Sequence, residues 1–158
     1  MILNIEYDGE FLDGRTPHPY TKKIHLPVQR LVRMSYADYW RSPDDFKTCP
    51  FLQMRGLVNA VMKAVGCYKI GPEDEWMELD LSAARDVLTR KLQFSLAYGS
   101  EIRDVETARQ LSEELLPESA SARHFVPEGD PLTDHTFDFG LLRMSEGSIL
   151  LFVAWDED

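Results

Sequence analysis

The sequence predicts an α+β fold, with a mainly antiparallel sheet built from N- and C-terminal hairpins and about three helices packed on one face. Three observations carry this expectation. Residues 148–155, SILLFVAW, place seven apolar residues and no charge after a Gly-Ser turn, which reads as a strand buried on both faces in the middle of a sheet. Residues 136–144 alternate Phe137, Phe139 and Leu141 against Asp138 and Gly140, so they read as its antiparallel partner through a turn at Ser145-Glu146-Gly147. Strand-like segments cluster at the two ends of the chain and helical periodicity fills the middle, the order expected of α+β rather than of alternating βαβ units.

Taken in order, residues 1–7 alternate Leu3, Ile5 and Tyr7 against Asn4 and Glu6 and then meet Asp8-Gly9, a favoured pair for a two-residue hairpin turn. Residues 13–20 hold two prolines around His18 and read as an extended loop. Strand character resumes over 21–34, where Pro27 implies an edge strand or a break. Residues 35–46 suggest a single helical turn capped by Ser35 and ended by Pro43. From Pro50, a helix to about residue 65 carries Phe51, Met54, Val58, Val61 and Val65 on one stripe, and Gly66 ends it. A short strand is expected around 76–81. The strongest helix spans 82–98, with Ala84, Leu88, Leu92 and Leu96 inward, Ser82 as cap and Gly99 as stop. Another runs over 104–116, with Val105, Ala108, Leu111 and Leu115 inward and Pro117 as its end. Residues 117–134 hold three prolines and little periodicity, and read as a long loop.

A length of 158 residues, 44% apolar and 28% charged, fits a single globular domain over 1–158 with a sizeable core. Asn4 and Glu6 interrupt what would be the apolar part of a signal peptide, and no apolar run nears the roughly 20 residues of a membrane span, so a cytoplasmic protein is expected. Cys49 and Cys67 flank the helix from Pro50. A helix of about 16 residues is about 24 Å long, so the two thiols should stay unpaired, as in a reducing compartment. The net charge of −10 is unevenly spread: residues 15–69 sum to +7 and residues 70–158 to −13.

The chain has no Gly-rich phosphate loop, GxSxG elbow, paired-Cys zinc spacing or HExxH, which sets those enzyme classes aside. Asp138-Phe139-Gly140 matches the kinase magnesium tripeptide without any of the other kinase motifs. No cofactor or metal is expected. Glu73, Asp74, Glu75 and Glu78 surround Trp76, an aromatic anchor within an acidic rim of the kind interfaces use. Tyr36, Tyr39 and Trp40 lie beside Arg30, Arg33 and Arg41, a pairing used on single-stranded nucleic acid, but the overall negative charge opposes that partner. His124 and His135, with Asp134, could form a general-base or metal pair if the 117–134 loop folds back; His18 and His25 lie elsewhere.

The leading expectation is therefore a small acidic cytosolic protein that neutralises a basic protein partner by stoichiometric binding, because negative charge accelerates such encounters. In size, charge and lack of catalytic motif the chain resembles bacterial immunity proteins and phage-encoded inhibitors, a likeness of character that transfers no residue. The alternative is a small enzyme or ligand-binding domain with a pocket under the 117–134 loop, using His124, His135 and Asp134. A third reading makes the chain a subunit of a larger assembly, a homo-oligomer among them, if the apolar final strand lies at a sheet edge.

Overall fold

A computed structural model describes residues 1–10, 28–67, 76–97, 99–128 and 137–156. Six strands, β1 (Ile2–Glu10), β2 (Val28–Ala37), β3 (Trp76–Leu79), β4 (Arg123–Pro127), β5 (Phe137–Ser145) and β6 (Ser148–Asp156), form one sheet in the order β1-β2-β6-β5-β4-β3. Every neighbouring pair is antiparallel. Four helices, α1 (Pro43–Thr48), α2 (Phe51–Ala64), α3 (Leu81–Gln93) and α4 (Val105–Leu115), complete an α+β domain.

The apolar run at 148–155 sits inside β6, which pairs with β2 on one side and β5 on the other. Because successive strand residues face opposite sides, β6 feeds two cores. Ile149, Leu151 and Val153 pack with Met54, Leu57, Val58 and Val61 of α2 and Phe46 of α1, whereas Leu150, Phe152 and Ala154 pack with Ala84, Leu88 and Leu92 of α3 and Ala108 and Leu115 of α4. The helices therefore cover both faces, α1 and α2 the first and α3 and α4 the second, rather than the single face expected. The physical reason is that a strand without polar alternation needs an apolar layer on each side. Since β3 runs parallel to β2 at the far edge, the α1–α2 connection crosses the sheet over β6, β5 and β4.

Several local expectations shift. Asp8-Gly9 makes no turn: β1 continues through Asp8↔Val32, Gly9↔Leu31 and Glu10↔Arg30, with a bulge between Ile5 and Tyr7. Asp8 instead makes a two-point ion pair with Arg30 of β2 at 2.7 Å for each bond. Gly9 lies beneath the Tyr7 ring, where an added Cβ would fall 2.6 Å from the Tyr7 hydroxyl. Pro43 starts α1 rather than ending a turn; Ser42 precedes it, its backbone N–H bonded to the Asp45 carboxylate, and proline suits a first helical position. The α3 cap is Asp80, which accepts from Ala83 N at 2.7 Å, and not Ser82. That helix ends at Gln93, with Gly99, at φ 63°, in the turn that follows. In α4, Val105 faces solvent rather than the core. The 117–134 stretch is interrupted by β4, whose three central residues are buried. Both cysteines are free and buried.

Candidate functional site

The tyrosine–tryptophan cluster packs against the first core. Tyr36 on β2 is buried, donates its hydroxyl to Ser145 O at 2.8 Å and accepts from Trp40 Nε1 at 2.8 Å. Tyr39 meets Trp40 edge-on at 4.7 Å and donates to Gln53 O at 2.6 Å, tying the segment before α1 to α2. Trp76 is likewise turned into the first core, leaving its neighbour Met77 exposed. Glu78 receives both arms of Arg123, at 2.7 and 2.8 Å, while Arg123 also donates to Phe46 O and Cys49 O. Arg123 thus joins β3 and β4 to the α1–α2 corner. Glu73, Asp74, Glu75, Asp134 and His135 lie outside the described residues.

His124 is in β4, directly opposite Arg143 of β5, and only 3% exposed. Arg143 Nη1 stands 2.9 Å from His124 Nε2, so the neutral ring accepts. Burial, reinforced by the charges of Arg143 and Arg85, drives the His124 pKa down to about 4. A ring so weakly basic is a hydrogen-bond acceptor at neutral pH and a poor general base. Burial, and then the Arg85 charge, also lower Arg143.

Following the registers from strand to strand gives one row across the second face: Tyr7, Arg33, Leu150, Arg143, His124, Leu79. Beside this row, at the β5–β6 turn and below the end of α4, is a cavity of about 190 Å³ lined by Glu6, Arg33, Glu114, Pro117, Arg143, Ser145 and Ser148 among others. Local patterns in the chain carry no sign of it, since Arg33 and Arg143 are brought to one cavity only through strand register.

A second feature is the β1 edge. Among the described residues β1 pairs with β2 alone, and its side chains are exposed along nearly the whole strand. Half of the exposed large apolar residues in the described chain, Met1, Ile2, Ile5 and Tyr7, lie within its first seven positions. Residues 1–10 also carry Glu6, Asp8 and Glu10 and no lysine or arginine. The final strand, by contrast, has both edges occupied.

Among the described residues no group of three or more His, Cys, Asp or Glu is placed to hold a metal ion, and no helix is long and apolar enough to cross a membrane. Comparison with protein-family models, with curated proteins and with solved structures returns no match.

Proposed function

We propose that this domain is a stoichiometric binding protein that neutralises a basic protein partner, and that the partner docks along β1. The observation that carries this reading is the outer edge of β1, nine residues long, with Ile2, Ile5 and Tyr7 exposed beside Glu6 and Glu10. An exposed edge offers unpaired backbone donors and acceptors to an added strand, and its side chains select the sequence that pairs. Charge selects the occupant. A second copy of β1 would set acid against acid, whereas a basic extended segment meets opposite charge and is steered by the net −10.

The test is affinity capture from the native host lysate with the wild-type chain, with a Glu6→Lys/Glu10→Lys variant and with Ile5→Pro, at low and moderate salt. A single basic protein retained in equal proportion by the wild type, lost with salt and lost from both variants, is the expected result. Equal retention by variants that melt like the wild type, or no stoichiometric partner at all, would overturn the reading.

A further inference from the structure

We infer that the cavity between the β5–β6 turn and the end of α4 is a binding site for a small monocarboxylate of amino-acid size, with the Arg143 guanidinium as its anchor and Arg33 as its second contact. This site shares Glu6 with β1 but does not rest on the docking proposal.

The inference starts from a contrast with three other arginines of this protein. Arg30 is held by Asp8, Arg123 by Glu78 and Arg109 by Glu106, each at 2.6–2.7 Å. Arg143 is half-buried, yet its single side-chain bond among the described residues goes to a neutral imidazole, and no described carboxylate comes within 4 Å of it. Arg85, on α3, donates to the Leu116 carbonyl, has no carboxylate within 4 Å among the described residues, and adds a second positive charge nearby. Withdrawing a guanidinium from water without a counter-ion is costly, and the fork geometry of arginine matches a carboxylate at two points. One N–H is held by His124, which makes that histidine a positioning residue for the remaining donors. Arg143 lines a space large enough for a ligand.

The rest of the lining narrows the class. Ser145 and Ser148 add neutral hydroxyls, and Leu115, Ile149 and Leu150 supply apolar wall. Glu6 and Glu114 are exposed and stand at the same cavity. Their charges repel a doubly charged anion such as phosphate and welcome an ammonium group, so a monocarboxylate or an amino-acid zwitterion fits better than a phosphate.

The experiment is an NMR titration of the whole chain with acetate, glycine, leucine and inorganic phosphate at constant ionic strength, each to about 100 mM or to its solubility limit, following the Arg143 Nε–Hε signal and the Ser145 and Ser148 amides; millimolar affinity is readily resolved in that range. Saturable shifts with a carboxylate, at least tenfold weaker in Arg143→Gln and in the charge-preserving Arg143→Lys, are expected. Glu6→Gln/Glu114→Gln should raise the affinity for phosphate. Absence of saturation with all three carboxylates, equal binding by a folded Arg143→Lys variant, or phosphate binding more tightly than every carboxylate to the wild type would overturn the assignment.

Discussion

Replacing His124 with glutamine removes the titrating ring while keeping a side-chain carbonyl able to accept from Arg143. Folded His124 takes up a proton only near pH 4, whereas in the unfolded chain it does so near the ordinary 6.5. Between those values the unfolded state binds the extra proton, so acid favours unfolding: the contribution is complete above about pH 6.5 and is lost as pH falls toward 4. The gap amounts to about 3 kcal/mol. Urea unfolding of wild type and His124→Gln from about pH 7.5 to about pH 4 measures it as the difference between the two stabilities, which should shift by about that amount against the wild type. Asp8, held below the usual carboxylate range by Arg30, also loses stability in acid, but it is common to both proteins and cancels. A stability difference that stays constant over this range, or an imidazole NMR titration centred near 6.5, would refute the reasoning and with it the neutral acceptor facing Arg143.

Phe152, fully buried in the second core, should cost about 3–5 kcal/mol on truncation to alanine, read from the urea midpoint at unchanged m-value. Asp80→Ala should lower stability by about 1 kcal/mol through loss of the α3 cap, while Ser82→Ala should be close to neutral. Burial pushes both cysteine thiols up, so neither Cys49 nor Cys67 should react rapidly with a thiol reagent in the folded protein, and both should react in urea. A fast-reacting thiol in the native state would contradict the packing around Cys49 or Cys67.

Local patterns in the chain foretold the hydrophobic elements well. The charge-free run at 148–155 and the stripes Met54-Val58-Val61 and Ala84-Leu88-Leu92 are where they should be, because burial writes a period into sequence. The same run held the clue to two helical layers, since a strand apolar on both faces demands cover on both, and the one-face expectation overlooked it. Short polar devices were harder to read. Asp8-Gly9 looks like a turn unless Arg30 is known to sit across from Asp8, and Pro43 starts a helix as readily as it ends one. His124 looked like a loop residue because prolines flank it, although Pro127 tolerates the last position of a strand. The cavity was illegible for a different reason: Arg33 is brought beside the β5–β6 hairpin that carries Arg143 through the β2–β6 pairing, between segments about 120 residues apart, which no local window contains.

The place of β6 in the sheet also governs the order in which the protein can fold. Among the six described strands, β1 and β2 form one block, β3, β4 and β5 the other, and β6 joins them, although it follows the other five in the chain. A nascent chain that has not yet released residues 148–156 from the ribosome holds two half-sheets, each with an open inner edge and helices lacking the surface they pack on. Closure must then be a late, long-range event, slow for its size and dependent on sequestering those edges in the interval.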